Sequence, residues 1–415
     1  GWGPLETEIM NLHSRAVHSG DRKRAPQTGT TGWVPVTTPI HTASSFIYDD
    51  LADLDRVFAK EMPGPSYGRY GNPTNDALEV LITDLEGGAG SLACSSGMAA
   101  LHMAINTALI DRRRVVVAAK LLYGATIGMM TKVFDPAGVE TVWVDFDNPA
   151  AVEAAIAEHR PGALLMETIA NPLLRVPALD KIGAMARAAG VPLVVDNTFA
   201  TPLISRPLEH GAALVVHSLT KYLSGHGDVL GGVVTADAEH AGPLRDLSRT
   251  LGFTLGPFEA YLAMRGVKTF PLRMERQCAN AVQVAAWLAG HACVDRVYFP
   301  ADPKHPDAAN IARLFAPGLF GAMVSFEVKN AGRAEIFRLM NALKMVVPAT
   351  SLGDVHSMML YPVIASHREL SPKHRLRLGI QDNLVRLSVG IESVDDILAD
   401  LDQALSGGSF GGAAS

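Results

Sequence analysis

The stretch LDKIGAMARAAGVPLVVDNT, residues 179–198, contains both halves of the pattern that decides the fold. Residues 179–189 are amphipathic and read as a helix, and residues 193–195 are a short apolar run that reads as a buried strand. Similar apolar runs stand at 115–118, 142–144, 164–166, 214–216 and 232–234, and amphipathic stretches such as 149–159 lie between most of them. Short apolar strands alternating with helices predict an α/β fold: βαβ units around a mostly parallel sheet covered on both faces. Ligands of such sheets sit at the carboxyl ends of the strands. Asp196, Ser218 and Lys221 are expected just past such ends, on the ligand side.

Outward from this centre the pattern changes. Residues 1–70 are broken by Pro35, Pro39, Pro63, Pro65, Gly29, Gly32 and Gly64, with one short helix expected at 51–58, and read as an arm. So extended a lead segment wraps over its own domain or a neighbouring subunit. Helices are expected at 75–85, closed by Gly87-Gly88, and at 99–109, led in by Ser96-Gly97-Met98. A long helical stretch at 262–288 is followed by strands at 323–328 and 385–389 and helices at 334–343 and 394–405, a second, smaller α+β domain. The expected division is an arm at 1–70, a cofactor domain at 71–265, a C-terminal domain at 266–405 and a flexible tail at 406–415.

Composition excludes several functions. Of 415 residues 48% are apolar and 19% charged, enough for a large core and unlike a disordered chain. A net charge of −6 argues against a nucleic-acid binder. No apolar run approaches the roughly 18 residues of a membrane span. Cys94, Cys278 and Cys293 make no disulfide framework, and the N-terminal residues, with Glu6 and Glu8, show no signal core, so a cytoplasmic location is expected. The P-loop, G-x-G-x-x-G, H-E-x-x-H and G-x-S-x-G patterns are absent. His210, His217 and His226 share no metal-ligand spacing, and no metal is expected.

The chemistry is carried by VVHSLTKYLSGHGD, residues 215–228. A strand ends in Ser218-Leu219-Thr220-Lys221, before a turn with Gly225 and Gly227. An isolated lysine after a strand is usually only solvated. Here two hydroxyls flank it, and hydroxyls with backbone N–H groups suit a phosphate. A lysine amine beside a phosphate site suits pyridoxal phosphate, which carries both an aldehyde and a phosphate. Asp196 alone could be a turn residue; beside such a cofactor it would keep the ring nitrogen protonated. Ser96-Gly97-Met98 opens a helix whose first amides make an anion site. Together these parts make a complete cofactor seat.

The sequence resembles the Cys/Met-metabolism pyridoxal-phosphate enzymes, which include cystathionine γ-lyase, cystathionine γ-synthase, methionine γ-lyase and the homoserine sulfhydrylases. The resemblance runs from about residue 41 to 405. Its markers are SYGRYGNPT (66–74), SSGMAA (95–100), YGAT (123–126), ETIANP (167–172), VVDNTFATP (194–202), HSLTKYLSGHGD (217–228), SLGD (351–354) and LVRLSVGIE (384–392). It implies the fold of aspartate-aminotransferase-like enzymes, with a seven-stranded, mostly parallel sheet. It further implies Lys221 as the Schiff-base lysine and proton shuttle, Asp196 at the pyridine nitrogen, and Tyr123 stacked on the ring near the leaving group. Gly97, Met98, Ser218 and Thr220 would hold the phosphate, and Tyr67 and Arg69 would reach that of a neighbouring subunit, in a homotetramer with shared active sites. Asn171 would lie near the ring oxygen and the substrate carboxylate, and Arg386, with Ser351 close by, would grip that carboxylate through a planar, bidentate guanidinium.

The pattern is not that of any single member. Thr350 stands where members that handle cystathionine commonly have Glu, Ala125 where methionine γ-lyases often have Cys, and Ser366-His367 and Tyr361-Pro362-Val363 replace the usual late residues. The leading expectation is γ-elimination on a sulfur amino acid, methionine or cystathionine, giving 2-oxobutyrate, ammonia and a thiol. The alternative is γ-replacement, as in cystathionine γ-synthase or an O-acylhomoserine sulfhydrylase. A non-catalytic binding protein that kept the fold is disfavoured by the intact Lys221, Asp196, Tyr123 and Arg386.

Overall fold

The computed structural model describes residues 10–21, 35–365, 368 and 372–407. Ser366-His367 and the tail from residue 408 lie outside them. The larger sheet has seven strands and is mostly parallel: β1 Gly90–Cys94, β2 Val115–Ala119, β3 Glu140–Val144, β4 Ala163–Glu167, β5 Leu193–Asp196, β6 Leu214–Ser218 and β7 Gly232–Ala236. Each of the six apolar runs becomes a strand, one or two residues longer than the run itself. Asp196 and Ser218 are therefore the last residues of β5 and β6 rather than residues beyond them.

The chain divides into two compact units. Unit 1, Gly1–Ile110 with Ala213–Pro271, holds β1, β6 and β7. There β7 pairs antiparallel with both β6 and β1, with Gly232 opposite Ser218 and Cys94. The sequence pattern shows neither the direction of β7 nor β1, whose run of small residues (GSLAC) carries little periodicity. The helix Pro73–Glu86 starts where Asn72 accepts from Thr74 N at 2.9 Å, with Pro73 in the first turn. A further helix, Leu12–His18, lies in the segment read as irregular; it buries only Ala16 and is set by Asn11, which accepts from Ser14 N.

Unit 2, Asp111–Ala212 with Leu272–Ser415, holds β2 to β5, parallel in every pairing among them. Every residue of β2 and β4 is buried, as strands covered on both faces require. The unit also contains a five-stranded sheet: β8 Val294–Tyr298, β9 Met323–Val328, β10 Val347–Pro348, β11 Met358–Leu360 and β12 Leu384–Ser388. This is the expected smaller α+β part, with β12 between β11 and β9. The long helix expected at 262–288 is instead two, Pro257–Val267 and Phe270–Gly290, and Pro271 sits in the first turn of the second, where a missing N–H costs nothing. Among the described residues no helix is long and apolar enough to cross a membrane, and no cluster of His, Cys, Asp and Glu is arranged to hold a metal ion.

Close packing makes one helix position selective. A Cβ on Gly183, within the helix Leu179–Ala189, would overlap the carbonyl oxygen of His210. Gly183→Ala is expected to destabilise the protein by about 1–3 kcal/mol, read as a lower urea midpoint. Gly242→Ala, with open space around its Cβ in the helix Ala241–Leu251, should raise the midpoint by the equivalent of about 0.4–1 kcal/mol.

Candidate active site

In unit 1 the end of β6 turns sharply. Lys221 N donates to Ser218 O at 3.2 Å and Gly225 N donates to Lys221 O at 2.8 Å, which folds the lysine segment back beside the strand end. The Thr220 hydroxyl accepts from Gly231 N at 3.2 Å, so it braces the turn as well as flanking the lysine. Ser218 faces the start of the helix Gly97–Ala108, whose Ser96 cap accepts from Ala99 N at 3.0 Å. A Cβ on Gly97 would stand 2.9 Å from Ser218 Cβ and 3.2 Å from its Oγ. Only glycine lets the helix start come this close to β6, leaving Met98 and the first amides beside a strand-end hydroxyl. One residue before Ser218, the buried His217 ring pairs with the buried Glu86 carboxylate. Arg69 donates to Arg249 O and lies over the Tyr70 and Tyr67 rings, at 4.8 and 5.5 Å from their centroids. Tyr67 itself is exposed.

In unit 2 the expected residues gather around a carboxylate to which the sequence reading assigned no role. Glu167 closes β4, beside Asp196 closing β5. It is 7% exposed. Its Oε1 accepts from Tyr123 N at 2.6 Å and its Oε2 from Asn171 N at 3.1 Å. Asn171 Oδ1 in turn accepts from Arg386 Nη1 at 2.8 Å. Arg386, 3% exposed, lies mid-strand in β12, 5.9 Å from the Phe199 ring centroid. Gly353, two residues after Ser351, donates to Ser388 Oγ at 2.8 Å, which ties the Ser351 loop to the end of β12. Asp196 Oδ1 accepts from Thr198 N at 2.9 Å, so the turn role is present too. Tyr123 starts a helix and is 41% exposed, with its ring available for stacking. The signal for Glu167 is the one that marks Asp196: a carboxylate ending an apolar run.

Unit 1 thus has a glycine-closed helix start against a strand-end hydroxyl with a lysine on the next turn, and unit 2 has a carboxylate ending a buried strand and a buried arginine within another. Residues 13–406 match the family model for Cys/Met metabolism PLP-dependent enzymes. The chain belongs to that family. It is thus an enzyme of the pyridoxal-phosphate-dependent carbon–sulfur lyase and transferase class. It is 40% identical over 407 residues to an L-methionine gamma-lyase of Fusobacterium nucleatum subsp. polymorphum, covering 97% of this chain and 99% of that protein. It is also 40% identical over 379 residues to a cystathionine gamma-lyase of Bacillus subtilis, covering 91% and 96%. Among solved structures it is similar to a cystathionine gamma synthase of Xanthomonas oryzae pv. oryzae in complex with aminoacrylate and cysteine, at a TM-score of 0.87 and 36% identity over 95% of this chain and 98% of that one.

Glu167 gives this member of the family a pH signature. Burial, and then the neighbouring Asp196, raise its carboxyl from 4.5 to about 8, against the opposing pull of the Tyr123 and Asn171 N–H groups and Arg386. Below 4.5 the group is protonated in folded and unfolded chains alike, and its contribution to stability is complete. As pH rises towards 8 the unfolded chain sheds this proton while the folded chain keeps it, so stability falls across that window. The urea midpoint of cofactor-free protein should decline more steeply between these pH values than that of Glu167→Gln. Parallel profiles would contradict the assignment.

Proposed function

We propose that the protein catalyses γ-elimination on a sulfur amino acid of the methionine or cystathionine type, releasing 2-oxobutyrate, ammonia and a thiol. The observation that carries the reading is the buried Arg386–Asn171 pair at 2.8 Å, a carboxylate grip, in a chain 40% identical to two γ-lyases. The residues fit pyridoxal phosphate: on Gly97 a side chain would crowd the Ser218 hydroxyl, which leaves amides and hydroxyls for a phosphate. In this reading Gly97, Met98, Ser218 and Thr220 would hold the phosphate, Asp196 would pair with the ring nitrogen, Tyr123 would cover the ring and Lys221 would be the amine that meets the aldehyde.

When bound, the cofactor supplies an aldehyde for the substrate amine and a ring that draws off negative charge. The chain supplies the rest. Arg386, oriented by Asn171, holds the α-carboxylate, with Ser351 alongside. The Lys221 amine, which must be unprotonated to act as a base, takes the proton from the α-carbon. Lys221, having given up the first proton, takes a second from the β-carbon, the γ-sulfur leaves with the proton of the Tyr123 hydroxyl, and water completes the release of 2-oxobutyrate and ammonia. Tyr67 and Arg69 serve the phosphate of a neighbouring subunit in a homotetramer. The helix Leu51–Phe58 supports this arrangement, since it buries none of its residues and leaves Leu51 76% and Phe58 57% exposed.

γ-Replacement is the second reading, favoured by the likeness to a cystathionine gamma synthase. Thr350 lends no carboxylate for cystathionine's distal amine, which directs the first assay to methionine. Incubation with methionine alone should yield 2-oxobutyrate. A new thioether or thiol amino acid formed only from an O-acylhomoserine with thiol or sulfide would instead establish replacement. Lys221→Ala should remove the visible absorbance of the bound cofactor and lower turnover by about 10²–10⁴-fold or more. Near-normal turnover in that variant would refute the role of Lys221.

A further inference from the structure

Tyr123 and Asn171 stand on different loops, one after β2 and one after β4. Each gives its backbone N–H to a different oxygen of the same buried carboxylate, at 2.6 and 3.1 Å. We propose that Glu167 is a positioning residue for the reaction: by holding both N–H groups it fixes, as one unit, the aromatic ring of Tyr123 and the amide of Asn171 that orients Arg386. The inference rests on the proposed roles of Tyr123, Asn171 and Arg386 and adds the group that sets them.

The chemistry of the side chain makes it hard to replace. A carboxyl group, protonated or not, keeps a lone pair for a donor on each oxygen, whereas a glutamine amide accepts at one oxygen only and turns N–H groups towards the other donor. One backbone N–H would then be left facing a donor in a buried place. On the Asn171 side the error passes directly to Arg386 through the 2.8 Å bond. On the Tyr123 side it passes to the first turn of the helix Gly124–Met129, where Thr126 N and Ile127 N donate to Tyr123 O at 2.9 and 3.2 Å.

L-Alanine is a suitable probe, because it carries the carboxylate for Arg386 but no γ-group to expel. Titrating cofactor-loaded protein with L-alanine and following the visible band gives its Kd, and visible circular dichroism reports the packing of Tyr123 on the ring. Glu167→Gln is expected to weaken L-alanine binding roughly tenfold and to change the visible dichroism, with the cofactor still bound. In an Asn171→Ala background the same substitution should cost little further in Kd, because its route to Arg386 is already cut. Wild-type Kd and dichroism in Glu167→Gln, or a cost fully additive with Asn171→Ala, would overturn the proposal. If Glu167→Gln does not fold, Glu167→Asp, which keeps the carboxyl group but shortens its reach, should show a smaller shift of the same sign; wild-type values there would overturn it equally. A wild-type protein with no visible band and no turnover would sink the proposed function itself. An active wild type beside an unaltered Glu167 variant sinks only this inference.

Discussion

A strand packed on both faces can change polarity only where it ends. That constraint governs this protein. β2 and β4 are buried along their whole length, and Glu167 on β4, Asp196 on β5 and Ser218 on β6 stand at the carboxyl ends of their strands. The loops that follow hold Tyr123, Asn171 and Lys221. Apolar burial thus builds the scaffold and leaves these polar groups at the carboxyl edge of the strands in each unit.

At that edge the polar groups hold one another in chains. In unit 2 a carboxylate takes two backbone N–H groups, one of them from Asn171, whose side chain takes a guanidinium N–H. Such a chain gives a buried guanidinium and a buried carboxyl group hydrogen-bond partners, without which burial would penalise each by several kcal/mol. In unit 1 the device is steric: Gly97 lets a helix start press against Ser218, and the turn after β6 is closed by backbone bonds through Lys221 and by the Thr220 hydroxyl. Unit 2 is set by hydrogen bonds and unit 1 by close approach.

Much of this was legible in the residues. Apolar runs at regular intervals gave six of the seven strands of the larger sheet. The order of Ser96-Gly97, Asp196 and Lys221 pointed to the cofactor before any comparison, and the family and cofactor expected from the resemblance stand. What stayed hidden has physical causes. β1 (GSLAC) is too poor in large apolar residues to show a period, and β8 carries Asp295 and Arg296 exposed on its surface. β10 and β11 span two and three residues, too few for any pattern. The direction of β7 depends on pairing, which no local sequence encodes. Glu167 ends an apolar run as Asp196 does, but the two backbone donors that reach it from separate loops are not legible in the sequence. Hydrogen bonds to backbone N–H groups leave no trace in the identity of the donor residue.

The claim on which the account stands is that the chain binds pyridoxal phosphate through a single lysine, Lys221. Borohydride reduction of the yellow protein, followed by proteolysis and peptide mass mapping, tests it directly. The account predicts the pyridoxyl phosphate group on the peptide containing Lys221 and on no other. A label on a different lysine, or none on a protein saturated with the cofactor, would contradict it.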